Sequence, residues 1–220
     1  MKNILALGCS FTYGAELPDE TLTSPSQLAW PSLLANKLSA NVNNLGRNGG
    51  SNSRIYRLAV ENTLKHDYDL VICAWTDIVR LDITYQGEEM PVTINSSWID
   101  RDFPYLKTFI INHHDERHIL QTWMTQVLTL QEFFKRKNQK YHFLNMPGTF
   151  YKHHLEIQQL EYFIDSIDSK YFMGWDEGRG MVDWQGDCSL GPAGHPLELG
   201  HQRIANKIYE HISNLGWNFT

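Results

Sequence analysis

Two side chains in this sequence have the types and settings for nucleophilic chemistry. Ser10 stands in Gly8-Cys9-Ser10-Phe11-Thr12-Tyr13-Gly14, directly after the apolar run 2–7. A serine on the turn after a parallel strand projects into the crevice where open α/β sheets bind ligands. Glycines on both sides let the backbone bend sharply and approach a ligand. His195 stands before Pro196, where the last helical pattern begins, in the kind of loop that carries catalysis on a rigid scaffold. A histidine within reach of a serine takes its proton during attack and later gives it to the leaving group. Each residue also has a plainer reading. Ser10 could cap a strand-to-helix turn, and His195 could be a surface residue beside an N1 proline. His201, further along the same pattern, reads as a packing or capping residue. The Ser10 segment lacks the Lys-Ser/Thr ending of a P-loop and the glycine spacing of a dinucleotide fingerprint.

The elements that must hold these groups alternate. The run 70–75 is continuous and apolar, as parallel strands buried on both faces are, and the short apolar run 2–7, ending at Gly8, reads as a buried first strand. Further strands are expected at 42–45 and 141–146. Apolar spacing predicts helices over 30–38, with Pro31 at a tolerated early position, and over 51–66, 118–137, 155–168 and 196–215. Alternating strand and helix argue for a parallel sheet covered by helices on both faces. The stretches 82–117 and 170–194 break the pattern. The first is polar and aromatic, with Tyr85, Trp98, Phe103 and Tyr105, and the second is rich in glycine. The aromatics would stack on a sugar, line an acyl pocket, or simply pack the loop onto the domain.

Composition narrows the classes. With 220 residues, 42% of them hydrophobic and 20% charged, the chain is expected to form one α/β domain over 1–220, with an insertion or long loop at 82–117. Its net charge is -6, and its densest basic run, Lys135-Arg136-Lys137, suits a helix end. Phosphate-driven binding of nucleic acid is therefore not expected. Cys9, Cys73 and Cys188 have neither metal-like nor disulfide-like spacing. Cys9 and Cys73 read as small core residues, and no metal is expected. No apolar run approaches the ~20 residues of a membrane span, and MKNILALGCS has no signal-peptide pattern. A cytoplasmic or otherwise soluble protein is expected.

Taken together, these segments resemble the SGNH/GDSL hydrolase superfamily across the length of the chain. The resemblance rests on Gly8-Cys9-Ser10 after the first strand, Trp30-Pro31 at a helix start, Asn44 with Gly49, Trp75-Thr76-Asp77 after an apolar strand, and His195-Pro196 with Ile204-Ala205 beyond. It implies a flavodoxin-like three-layer α/β/α sandwich with a central, mostly parallel sheet. It also implies Ser10 as nucleophile, His195 as base, and an oxyanion hole from the N–H groups of Ser10 and Gly49 with Thr76, Gly46 being the second candidate glycine. Two positions depart from the family. Thr76 stands where the family has an asparagine, so a shorter hydroxyl must donate, unless Asn48 or Asn52 reaches in. Pro192 stands where the family has the aspartate that orients the histidine. Asp183 and Asp187, in the same glycine-rich stretch, are the alternatives for that third member. Otherwise the site is a Ser–His dyad.

The resemblance thus implies hydrolysis of an ester through an acyl-enzyme on Ser10, with no cofactor. The partners would be small-molecule or carbohydrate esters, including acetyl groups on sugars, lipid esters and thioesters. Two rivals remain: a catalytically impaired carbohydrate- or lipid-binding module, and an acyltransferase using the same pair.

Overall fold

The computed structural model of the chain describes residues 1–85, 88–92, 108, 115–147 and 150–217. Five parallel strands build the main sheet: β1 (Lys2–Leu7), β2 (Ala40–Asn44), β3 (Leu70–Trp75), β6 (Tyr141–Asn145) and the short β7 (Phe172–Met173). They lie in the order β2-β1-β3-β6-β7, and every pairing is parallel. Counting these five strands alone in chain order, the chain runs second, first, third, fourth, fifth across the sheet, the flavodoxin-like doubly wound order, whose switch point lies between β1 and β3.

Every residue of β3 is buried, because both faces of the sheet are covered. Successive side chains on a strand point to opposite faces. Ile4, Ala6, Ile72, Ala74 and Leu144 therefore pack on one side with Trp30, Leu34, Ile204 and Ile208. These partners come from α2 (Trp30–Lys37) and α8 (Glu198–Asn214). Leu5, Leu7, Val71, Cys73 and Phe143 pack on the other side with Ile55, Ala59, Trp123 and Phe134, from α3 (Asn52–Lys65) and α4 (Glu116–Arg136). This is the expected three-layer α/β/α sandwich. Cys9 and Cys73 are buried free thiols, and burial pushes the Cys73 thiol far above its ordinary range.

Four expectations change, the first being that the glycine-rich stretch 170–194, expected only to break the pattern, supplies the edge strand β7. The helix expected over 155–168 is two pieces, α5 (Phe150–Ile157) and α6 (Glu161–Ile164). Gln159, at φ 56°, breaks it, and Leu160 N closes back on Leu155 O. The edge strand β2 begins at Ala40, ahead of the expected start at 42. The stretch expected as an irregular loop opens with an antiparallel hairpin of β4 (Leu81–Tyr85) and β5 (Glu88–Val92). Tyr85 ends β4, whereas Trp98, Phe103 and Tyr105 lie outside the described residues. Between Gly14 and α2 the chain makes turns and bends, and among the described residues the remaining helical pieces are short: α1 (Ser10–Tyr13), α7 (Met181–Trp184) and a 3-10 turn at Ser169–Tyr171.

Candidate active site

Ser10 is placed by a tight reversal at the end of β1. Gly8 makes it possible, since a Cβ there would lie 2.0 Å from Thr12 Oγ1. Ser10 then opens α1, and its carbonyl accepts from Gly14 N at 2.9 Å and Ala15 N at 3.0 Å. Gly14 ends this helix at φ 84°. The residue is 4% exposed, and among the described residues its hydroxyl makes no hydrogen bond.

Two residues beyond Gly14 comes Glu16, held at φ 67°. A left-handed glutamate is uncommon and persists where its surroundings over-determine it. Here they do. One carboxylate oxygen of Glu16 accepts Ala193 N at 2.9 Å. The other accepts His195 N at 3.2 Å and meets His195 Nδ1 at 2.8 Å. The Ala193 N–H most of all, then the His195 ring and backbone, hold the Glu16 carboxyl below its ordinary value against the opposing effect of desolvation. An ionised carboxylate only accepts, so the proton of a neutral His195 sits on Nδ1 and leaves Nε2 free to accept another. That is the tautomer a serine hydrolase needs.

The loop that presents His195 is shaped for this contact. Leu190 and Pro196 form a bridge across its base, Gly191 N donates to His195 O at 2.9 Å, and Gly194 N donates to Gly191 O at 2.9 Å. A Cβ on Gly191 would lie 2.6 Å from the Glu16 carboxyl carbon, so the acid reaches the loop only because residue 191 has no side chain. Phe11, next to Ser10, packs edge-on against the imidazole with ring centroids 5.8 Å apart. The segment bearing the serine thus grips the histidine from two sides. His201 works apart from this pair, and its buried Nδ1 accepts Trp30 N at 3.1 Å at the start of α2. Burial first, and the neighbouring His195 second, push its pKa down to about 4.

The expected oxyanion groups gather at the ends of β1, β2 and β3. Arg47 N donates to Gly8 O at 3.2 Å, which fastens the 46–50 turn beside the Ser10 reversal. Gly49 adopts φ 73° and sits under Pro91 of the hairpin. The second candidate, Gly46, is engaged, because its N–H donates to Asn44 Oδ1 at 2.9 Å. Thr76 follows β3, and its backbone is clamped by Asn52, which accepts Thr76 N at 2.8 Å and donates to Thr76 O at 3.0 Å. Asn52 is therefore committed elsewhere, as is Asn48, which donates to Glu20 at 3.3 Å. The Thr76 hydroxyl is buried and unpartnered.

Residues 15–218 match the model of DUF6071, described as a family of unknown function. The chain belongs to that family. No curated protein matches this DUF6071 chain in sequence. Its fold is shared with an esterase from Pseudoalteromonas sp., at 14% identity and a TM-score of 0.56, with 98% of each chain covered. A protein assigned to the lipolytic G-D-S-L family from Desulfitobacterium hafniense DCB-2 aligns at 13% identity and a TM-score of 0.54, over 96% of this chain and 99% of that one. An acetyl xylan esterase from Butyrivibrio proteoclasticus aligns at 11% identity and a TM-score of 0.53, over 98% of this chain and 65% of that one. The fold of the DUF6071 chain is that of the SGNH/GDSL proteins.

Of the residues singled out in the DUF6071 sequence, Ser10, Gly49, Thr76 and His195 lie at the C-terminal ends of the strands or on the loop that faces them. The two aspartates do not join them at the histidine. Asp183 accepts Gly180 N at 2.7 Å as part of the α7 cap. Asp187 pairs with Arg203 at 2.6 Å with its side chain 92% exposed, and that guanidinium holds its carboxyl below the ordinary range. The acid at His195 is Glu16, which sequence reasoning missed. Its one local signal is an acid two residues past the glycine that ends the serine's helix. Among the described residues no group of three or more His, Cys, Asp or Glu side chains could hold a metal ion, and no helix is long and apolar enough to cross a membrane.

Proposed function

We propose that this protein is an ester hydrolase working through a Ser10–His195–Glu16 triad. The observation that carries the reading is the contact of His195 Nδ1 with an ionised carboxylate at 2.8 Å. It supports a true triad in place of the dyad that Pro192 suggested. Ser10 Oγ attacks the ester carbonyl while His195 Nε2 takes its proton. Glu16 holds the ring and stabilises the imidazolium that forms. The N–H groups of Ser10 and Gly49, with the Thr76 hydroxyl, receive the oxyanion. The imidazolium returns its proton to the leaving alcohol, and water then releases the acid from the acyl-enzyme by the same steps in reverse roles. The activities named for proteins of this fold, an esterase and an acetyl xylan esterase among them, favour carboxylic esters as substrates. Retention of a carboxylate on the histidine favours an enzyme over a binding module, since binding alone does not require it.

The test is chemical. A phosphonate ester that traps serine hydrolases should label Ser10, and the protein should hydrolyse short-chain aryl esters. Ser10→Ala should abolish both. Labelling at another residue, or an active Ser10→Ala protein, would remove the assignment.

A further inference from the structure

The ends of β3 and β6 carry polar atoms that the proposed chemistry leaves unused. Asn145 closes β6 in register with Trp75, and Met146 N donates to Trp75 O at 2.7 Å. Register partners in a parallel pair share a face of the sheet, so Asn145 stands beside Trp75, one residue from Thr76. Asn145 is only 7% exposed. Its Oδ1 is buried without a hydrogen-bond partner, and so is Trp75 Nε1. Among the described residues, nothing pairs with Asn145 Oδ1. Buried polar groups in native proteins nearly always have partners, and leaving one unpaired opposes folding. Such a residue is accounted for when its partner arrives with a ligand. Its position supports this, since ligands of open α/β sheets bind beyond the carboxyl ends of the strands.

The chemistry and the distance of that ligand follow. A carboxamide offers a donor and an acceptor and carries no charge. It matches a hydroxyl or an amide, and an alkyl chain placed there would leave both ends unpaired. β3 lies between β1, which leads to Ser10, and β6. Neighbouring strands are about 4.8 Å apart, which puts Asn145 roughly 10 Å across the crevice from Ser10. We propose that Asn145 is a specificity-determining residue that hydrogen-bonds a neutral hydroxyl- or amide-bearing part of the substrate at that distance from the ester carbonyl. This rests on the ester-hydrolase reading and narrows its substrates to polar, extended esters.

Asn145→Leu tests it with two readouts. On the best substrate from a panel of monoacetylated disaccharides, kcat/KM should fall roughly 10- to 100-fold, the worth of one or two buried hydrogen bonds. On 4-nitrophenyl acetate, too short to reach Asn145, it should stay within about 3-fold. The variant should also melt no lower than the parent, because leucine removes an unpaired polar group where a structural asparagine would be missed. Equal losses on both esters, no loss on either, or a lower melting temperature would overturn the proposal. A parallel titration keeps the two readings apart. If a disaccharide ester binds Ser10→Ala and not Ser10→Ala/Asn145→Leu, yet the parent hydrolyses no ester, the contact stands and the esterase reading falls.

Discussion

Replacing Glu16 by glutamine changes almost nothing in shape and everything in hydrogen bonding. The carboxylate takes three donors: Ala193 N–H, His195 N–H and His195 Nδ1–H. A glutamine has one acceptor oxygen and one NH2 group. If its oxygen faces His195, the NH2 meets the Ala193 N–H that lay 2.9 Å from the carboxylate. If its oxygen faces Ala193, the NH2 donates to Nδ1 and drives the ring proton to Nε2, where it blocks the serine. Either arrangement removes the negative charge from the imidazolium. The corresponding change in another serine hydrolase costs about 10⁴ in turnover, so kcat of Glu16→Gln should fall on the order of 10³–10⁴ on a short-chain aryl ester. Glu16→Asp keeps the charge but retracts it by about one bond length, ~1.5 Å, and should fall between parent and Glu16→Gln. Steady-state kinetics beside circular dichroism of each variant make the comparison. A folded Glu16→Gln enzyme within 10-fold of the parent would refute the reasoning, because the carboxylate would then hold the loop and take no part in the chemistry.

Asp183→Asn and Asp187→Asn should each keep kcat within about 3-fold, since neither acid meets the histidine; a loss near that of Glu16→Gln in either would contradict the geometry. Stability should fall in acid through two buried histidines. Desolvation chiefly, with the nearby His211 charge, pushes His142 down to about 3, and burial pushes His201 down to about 4, against about 6.5 in an unfolded chain. Between pH 6.5 and 4 the unfolded state binds the extra protons, so unfolding free energy should drop by about 1.4 kcal/mol per pH unit for each histidine that stays neutral in the fold. Both ring nitrogens of His142 are buried without partners, so His142→Leu should fold and flatten this slope by about that amount per unit; urea titrations at several pH values would expose an unchanged slope. Asn52→Ala should cost about 1–3 kcal/mol by leaving the buried Thr76 N–H unpaired, and, if Thr76 is the oxyanion donor proposed above, should lower kcat more than KM rises by loosening it.

Much of the framework is legible because burial writes itself into apolar runs. The strand 70–75 has the boundaries its apolar run predicts, since no polar residue interrupts a strand covered on both faces; the strand 2–7 has the expected boundaries too, its first two residues, Lys2 and Asn3, being exposed and the other four buried. The long helix expected over 118–137 is α4, shifted by one or two residues. The helix over 155–168 differs because one left-handed residue, Gln159, splits an otherwise continuous apolar period. The placement of Ser10 after β1 and of His195 before α8 follows from the same strand and helix patterns. The acid does not. Asp183 and Asp187 are candidates because they lie near His195 in sequence, whereas Glu16 is 179 positions away. No periodicity records such a contact; a turn in left-handed backbone and a loop built around Gly191 bring it about.

The position of Glu16 has a consequence for the history of the family. A pattern of Gly-x-Ser-x5-Glu puts the proposed nucleophile and acid into nine consecutive residues, 8–16, and under that proposal frees position 192 to be proline. A second carboxylate at 192 would crowd two negative charges around one imidazole, raising the proton affinity of one of them and wasting the other. Among DUF6071 chains the two solutions should therefore exclude each other. Members that keep an acid at the place of Glu16 should carry a neutral residue three before the histidine, and members that lose the first should have regained the second. The residue pair, read across lineages, would then behave as a single inherited choice about which end of the chain supplies the charge.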